Sequence, residues 1–336
     1  MKKKILITGA TGMTASHAVD LFLEKGWDVS CLVRRTSLDS TARIKHNLDK
    51  VTLIQGDLSD TSSIYNAIST VMPDAIFNAA AQSHVHVSFK EASSTFRVTG
   101  MGVLDFLEGI RLIKPDCRFI TLNSSEMFGN QIDNDGFQRI TTPLVPVSPY
   151  AVAKLASHHL VRIYRDSYNL FACSAICFNK ESERRNVAFF PRKVSKYVGD
   201  LVNYIKSGGE NFKKLQVGNL DSERDISYSP DCVEGFYAQL MSDKPNDYLF
   251  ASGTTHKMQE IVDLAFKIGS RELGTELNSK EWVEINPEFI RPNELHKLCG
   301  DSTETRKELN WKPKHSFNDI IEKMVLDDIN NPNKGY

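Results

Sequence analysis

Tyr150 and Lys154, in the run Ser148-Pro149-Tyr150-Ala151-Val152-Ala153-Lys154, are the residues best placed to do chemistry in this chain. Residues at i and i+4 share one face of a helix. A free phenol, with a pKa of about 10, is a poor base at neutral pH. An ammonium one turn away favours the phenolate, and the tyrosine becomes a proton acceptor for an alcohol or sugar hydroxyl. Ser148 suits an N-cap and Pro149 a first helical turn, so a helix is predicted to begin here. Alone, Tyr-x-x-x-Lys is also a common surface pair on amphipathic helices. Ser124 and Glu126 follow the apolar run Arg118–Leu122 in Asn123-Ser124-Ser125-Glu126-Met127-Phe128-Gly129. A serine near the phenol could hold the substrate oxygen. The carboxylate is an acid/base group beyond what a plain alcohol dehydrogenase needs.

The elements that must position these groups are legible as alternating strands and helices. Lys4–Thr8 reads as a buried strand, Gly9-Ala10-Thr11-Gly12-Met13-Thr14-Ala15 as a turn, and His17–Lys25 as a helix closed by Gly26. Strand, glycine turn and helix together form the setting of a dinucleotide fingerprint. Gly9 and Gly12 let the backbone approach a pyrophosphate, and Thr11, Met13 and Thr14 offer it the N–H groups of a helix start. A second strand, Asp28–Val33, ends in Arg34-Arg35-Thr36-Ser37. NAD enzymes usually carry an acidic residue there; two guanidiniums suit a 2′-phosphate and hence NADP.

Val51–Ile54 is a third strand, followed by Asp57 and Leu58 at the adenine edge, and Thr61–Val71 is a helix. The strand Asp74–Asn78 ends in Ala79-Ala80-Ala81-Gln82-Ser83-His84, small residues across which a cofactor fits. His84 and His86 have no partners that would make a metal site. Ala92–Leu112 reads as one long helix, Arg118–Leu122 as a fifth strand and Phe171–Phe178 as a sixth. The pattern predicts an α/β fold, a Rossmann-type doubly wound parallel sheet. Beyond Asn179 the character changes to charged loops and mixed segments.

Composition sets the outer bounds. The chain has 336 residues, 25% charged and 41% hydrophobic, with a net charge of −1. That balance gives no basic field for nucleic acid or anionic membrane. No run approaches the 18 or so apolar residues of a membrane span. The opening Met1-Lys2-Lys3-Lys4-Ile5-Leu6-Ile7 resembles a leader start, but the apolar run stops at Thr8-Gly9 and reads better as a strand. Six scattered cysteines without Cys-x-x-Cys suit reduced thiols in a cytoplasmic protein.

Taken together, Val33–Ser37, Gln82–Val85, Ser124–Gly129, Ser148–Lys154, Phe178-Asn179, Arg184-Arg185, Gly218–Asp221, Arg224-Asp225 and Arg291-Pro292 with Glu294 resemble the GDP-mannose 4,6-dehydratase family. These are extended short-chain dehydrogenases/reductases, and the resemblance runs along nearly the whole chain. It implies that residues 1–178 bind NADP, with returning segments near 215–250, and that 179–336 form mainly a smaller, interleaved nucleotide-sugar domain. It implies catalysis by Ser124, Glu126, Tyr150 and Lys154, and adds Lys180 and Arg185 to the cofactor set. The nucleotide sugar would be held by Ser83, Ser124, Glu126, Asn179, Lys193, Arg224, Arg291 and Glu294. Implied reaction steps are oxidation at C4, loss of water across C5 and C6, and return of hydride to C6. A homodimer built on the helices 92–112 and 149–168 is implied, with a tetramer closed through the Arg35 and Arg185 loops.

The chain also departs from the family pattern. Lys180, Glu183 and Asn186 replace His, Pro and Gly in the loop His-Glu-Ser-Pro-Arg-Arg-Gly, and Ile226-Ser227-Tyr228 replaces Trp-Gly-His. The segment from about Val202 to Phe212 is longer than usual. Sugar 4-epimerases and 4-keto reductases of the same fold would share Tyr150 and Lys154 but have no need of Glu126. A dinucleotide-sensing regulator would lack the Tyr/Lys/Ser set. Base and hexose stay open at this level, a GDP-heptose included.

Overall fold

The computed structural model describes residues 2–37, 40–209, 211–289 and 293–334. Its strands are β1 (Lys4–Thr8), β2 (Asp28–Val33), β3 (Val51–Gln55), β4 (Ala75–Asn78), β5 (Arg118–Ser124), β6 (Ala172–Cys177), β7 (Asn179–Glu181), β8 (Leu215–Val217), β9 (Glu223–Tyr228), β10 (Tyr248–Phe250), β11 (Thr255–Lys257), β12 (Val283–Ile285) and β13 (Lys297–Leu298). The main helices, in chain order, are α1 (Met13–Glu24), α2 (Thr61–Val71), α3 (Val85–Lys90), α4 (Ala92–Phe96), α5 (Gly102–Ile113), α6 (Pro149–Tyr168), α7 (Phe190–Lys206), α8 (Ser229–Met241), α9 (Met258–Leu273), α10 (Ser279–Trp282), α11 (Thr303–Leu309) and α12 (Phe317–Asn330).

Seven strands form one parallel sheet in the order β10-β6-β5-β4-β1-β2-β3. In β1, Ile5 and Ile7 face one side and Leu6 the other, all fully buried. A parallel strand covered on both faces reads as such a continuous apolar run. Phe22 and Val19 of α1 and Phe236 of α8 cover the first face. Ile64 and Ile68 of α2, Phe106 and Ile110 of α5, and Val161 of α6 cover the second. The chain runs outward from β1 through β2 to β3, then crosses back to place β4 on the other side of β1. This reversal is the switch point of a doubly wound sheet, where ligands bind beyond the strand ends.

A second core lies beyond the C-terminal edge of the sheet. There α7, α9 and α12 pack together through Val194, Val198, Ile261, Val262, Ile320 and Met324. Two small sheets complete this part: β9 pairs with β7, β11 and β13, and β8 pairs with β12. A bridging cluster of Met127, Phe128, Phe178, Leu249, Leu295 and Leu298 joins it to the large sheet.

The single helix expected over 92–112 is interrupted. Arg97–Met101 forms a π-helical turn between α4 and α5. Thr95 and Thr99, just before and within it, accept hydrogen bonds from Gln82 at 3.1 and 3.2 Å. The wider turn therefore sets the loop that follows β4.

Candidate active site

The candidate catalytic groups sit at the C-terminal end of a strand, β5, or the N-terminal end of a helix, α6. Gly9 follows β1 with φ +67, and a Cβ there would lie 2.9 Å from the Ala80 nitrogen. Only glycine allows both the left-handed backbone and this approach of two strand ends. Gly12 donates to the Gly9 oxygen at 2.8 Å and is the N-cap of α1. The free N–H groups of that helix start, with no acidic side chain in its first turn, form a cradle for a phosphate. Gly9, Thr11, Gly12, Met13 and Thr14 thus fit a dinucleotide. Ala79, Ala81 and Gln82 are half-buried in the segment that follows β4. Ser83, Arg34, Arg35, Thr36 and Ser37 are exposed, the last four just past the end of β2. Asp57 is engaged in its own turn, its Oδ1 accepting from the Ser59 N–H and hydroxyl at 2.8 Å, while Leu58 is buried.

Ser124 ends β5, and its hydroxyl accepts the Glu126 N–H at 3.2 Å, capping a short 3-10 turn over Ser125–Phe128. Gly129 closes that turn with φ +60, where a Cβ would strike the Val145 oxygen at 2.0 Å. The turn leaves Ser124 and Glu126 half-buried at the strand end. Ser148 caps α6 by accepting the Ala151 N–H at 3.1 Å, with Pro149 in the first turn. This holds Tyr150 and Lys154 buried on one face of α6.

The Lys154 ammonium donates to the Leu122 carbonyl at 2.5 Å, and burial lowers its pKa to about 8. Burial pushes the Tyr150 phenol well above its ordinary value, and the charge of Glu126 raises it further. The groups that pull it down are the Ser124 hydroxyl, within hydrogen-bonding reach, and the Arg185 guanidinium. The Lys154 ammonium lies 5.9 Å from the centre of the Tyr150 ring, one helical turn along the same face.

Half-buried Lys180 stands beside Lys154. It lies close enough to repel Lys154 and to hydrogen-bond the Cys177 thiol, which stands opposite Ser124 across the β5–β6 register. Arg185 reaches the fully buried carboxylate of Glu181 at 3.3 Å and covers the Phe189 ring at 3.6 Å. Burial raises the Glu181 carboxyl above the usual range, against the pull of Arg185 and Lys180.

The substrate candidates separate into groups. Asn179 heads β7, in register with Ile226. Arg224 is buried on β9, with Nη2 at 3.8 Å from Glu294 Oε1. Its neighbour Asp225 anchors the strand, accepting from Ser252, Gly253 and Gly300 at 2.7 to 3.3 Å. Lys193 donates to the Gln216 oxygen at 2.5 Å and lies over Phe289 at 4.1 Å. Burial lowers its pKa. Arg291 lies outside the described residues. His84, with its ring 5.3 Å from that of Phe189, is the N-cap of α3, and His86 lies in the first turn of that helix.

A polar ladder under the site was not anticipated. Thr8 donates to Asn78 at 2.6 Å and Asn78 to Thr121 at 3.0 Å, tying β1, β4 and β5 side by side. Asn123 donates to Ser174 at 2.5 Å, tying β5 to β6. Thr8 and Asn78, each closing an otherwise apolar strand, were the available signal.

The family model described as GDP-mannose 4,6 dehydratase matches residues 6–324. A protein of that name from Drosophila melanogaster is 36% identical, covering 97% of this chain and 86% of the relative. The GDP-mannose 4,6 dehydratase 1 of Arabidopsis thaliana is 37% identical (98% and 90%), and the human GDP-mannose 4,6 dehydratase 35% identical (98% and 93%). Among solved structures, dTDP-glucose 4,6-dehydratase of Streptomyces venezuelae, with NAD and TYD bound, superposes with a TM-score of 0.83 at 22% identity, covering 98% of this chain and 97% of that one. The UDP-glucose 4-epimerase of Thermus thermophilus, with NAD, gives 0.80 at 23% identity (96% and 97%). At those identities the two structures speak for the fold, whereas the family model and the curated relatives span almost the entire sequence: the chain belongs to the GDP-mannose 4,6-dehydratase family.

Proposed function

We propose that this chain is an NADP-dependent hydro-lyase that converts GDP-mannose to GDP-4-keto-6-deoxymannose. The observation that carries the reading is the convergence of Ser124, Glu126 and Tyr150 beyond β5, in a chain of this family. Tyr150 accepts the O4 proton, and Ser124 holds O4 beside the phenol. A bound dinucleotide would supply the acceptor for the hydride lost from C4 and, once reduced, the hydride donor for C6. Once C4 is a ketone, the C5 proton is acidic. Glu126 takes it and protonates the departing C6 hydroxyl, which leaves as water; C5 regains a proton from solvent as hydride is added at C6, and Tyr150 returns the O4 proton to solvent, so the product differs from the substrate by one water. A 4-epimerase or 4-keto reductase needs no such carboxylate, which is why Glu126 favours the dehydratase.

On this reading residues 1–178, with the returning strand β10, form the cofactor domain, and the region after 179 forms mainly the sugar domain. Arg34 and Arg35, exposed past β2, favour NADP. Lys180 and Arg185 complete the cofactor site. Asn179, Lys193, Arg224, Arg291 and Glu294 take the nucleotide sugar, with Ser83 at the rim. A homodimer through α4–α5 and α6 is supported by an open, mainly apolar groove of about 520 Å³ lined by Ala92, Phe96, Pro146, Val147, Pro149 and Val152. Phe96, Val152 and Ile163 are exposed on those helices. The Arg35 and Arg185 loops would close a tetramer. Six buried cysteines, all free thiols, suit a cytoplasmic setting. No described helix is long and apolar enough to cross a membrane.

The test is mass spectrometry of products from a panel of GDP, UDP, dTDP and CDP sugars, a GDP-heptose included. GDP-mannose should yield a product lighter by one water, without added oxidant. A panel in which GDP-mannose is unchanged while another sugar loses water overturns the substrate; an epimer or reduced product overturns the reaction.

A further inference from the structure

Arg43 stands in a short 3-10 turn, Ala42–Asn47, between β2 and β3. The turn is fixed by Ile44, fully buried in the core beside α1, and by Asn47, whose amide donates to Asp20 at 2.7 Å. From this base the guanidinium reaches two main-chain oxygens. Nη1 donates to Thr11 in the glycine turn at 3.0 Å, and Nε donates to Arg184 at 2.7 Å. Thr11 and Arg184 are remote in sequence, yet they belong to the segment that fits the cofactor phosphates and to the loop that presents Arg185. The same loop is tied to α1 by Arg184, which meets Asp20 at 2.7 Å and Ser16 at 3.3 Å, and by the contact between His17 and Ser182 at 3.0 Å.

We propose that Arg43 is a positioning residue that clasps the glycine turn to the loop 182–189, so that the phosphate cradle and Arg185 are set as one unit. The inference rests on the dinucleotide reading of the glycine turn. A guanidinium is suited to the task because its planar fork presents donors in fixed directions, whereas an ammonium is a point charge on a flexible stem. The Thr11 oxygen also lies just ahead of the α1 N-terminus, where a bare carbonyl opposes a bound anion. The positive charge on it offsets that repulsion. Both effects act on the pyrophosphate end, which NAD and NADP share, and leave the 2′-phosphate to other groups.

The test compares wild-type protein with Arg43→Ala and Arg43→Lys, measuring NADP+ and NAD+ affinity by calorimetry and trypsin cleavage at Arg184 and Arg185. Circular dichroism checks that each variant is folded. Arg43→Ala should weaken both dinucleotides by the same factor, roughly ten- to a hundredfold, the range set by losing charged hydrogen bonds. Arg43→Lys should recover only a minor part, and both variants should be cut faster in the loop than wild type. Loss confined to NADP+ would make Arg43 a direct phosphate ligand and overturn the clasp. Unchanged affinity and unchanged cleavage would overturn it too, as would full recovery by lysine. Should Arg43→Ala fail to fold, Arg43→Lys decides by the same two readouts. A wild-type protein that binds neither dinucleotide overturns the cofactor reading itself, and the inference with it.

Discussion

Tyr228 donates its phenolic hydroxyl to the Glu183 carboxylate, 3.0 Å from Oε2 and 3.2 Å from Oε1. Glu183 lies in the loop after β7 and Tyr228 ends β9, so this hydrogen bond joins segments 45 residues apart. Glu183 is also held at its main-chain oxygen by Arg192 at 2.7 Å, so the pair braces the loop before α7 against β9. Tyr228→Phe should lower stability by roughly 1–2 kcal/mol, the cost of a hydrogen bond to a charged, half-buried partner. Urea unfolding of the two single mutants and of the double mutant with Glu183→Gln should reveal positive coupling. Strict additivity would remove the pair as a brace.

Glu126→Gln is nearly isosteric and should stay folded and bind the sugar nucleotide. The amide has no lone pair basic enough to take the C5 proton, so turnover should drop by about 10²–10⁴-fold, the usual contribution of general acid–base help. Cofactor reduction at C4 should survive in a single turnover, read by absorbance, while solvent deuterium should no longer enter C5. Tyr150→Phe should lose both. A Glu126→Gln enzyme that dehydrates at the wild-type rate would refute the assignment.

If the exposed guanidiniums past β2 hold the 2′-phosphate, as proposed, replacing Arg34 and Arg35 together by Ala should weaken NADP+ far more than NAD+. Equal losses in a titration of both dinucleotides would contradict this.

His17 sets a limit at acid pH. Burial, aided by the nearby Arg184 charge, lowers its pKa from 6.5 to about 3. The unfolded chain therefore takes up a proton that the folded chain refuses. This contribution to stability is complete above pH 6.5 and is lost progressively as pH falls toward about 3. By pH 5 the loss should be on the order of 2 kcal/mol. Chemical denaturation between pH 7 and 5 should show a shallower acid slope for His17→Gln; parallel slopes would exclude His17 as the cause.

Val152 is exposed on α6 beside the apolar groove. Val152→Glu would place a charge in the proposed dimer face, where burial of an unpaired carboxylate is costly. Light scattering should find a dimer or tetramer for wild type and a smaller species for the variant. A wild-type monomer at micromolar concentration would refute the interface.

Much of the architecture follows from local sequence. Lys4–Thr8, Asp28–Val33 and Thr61–Val71 form where their patterns place them, because a buried strand and an amphipathic helix each leave a periodic apolar signature. The glycine turn and the Ser148-Pro149 helix start are likewise local, since positive φ, close approach and capping are decided within a few residues.

Tertiary structure alone decided what those residues meet. Lys154 lies on the expected face, yet its partner is the Leu122 carbonyl, thirty-two positions away. Arg192 is fully buried against Asp328 at 2.8 Å because α12 packs back onto α7. Arg43 gave no signal at all, and its two acceptors lie in segments that only the folded chain brings together. Local spacing determines backbone conformation and the face a side chain occupies. Its partner and pKa depend on burial and on charges brought close by long-range packing, and no window of sequence contains these.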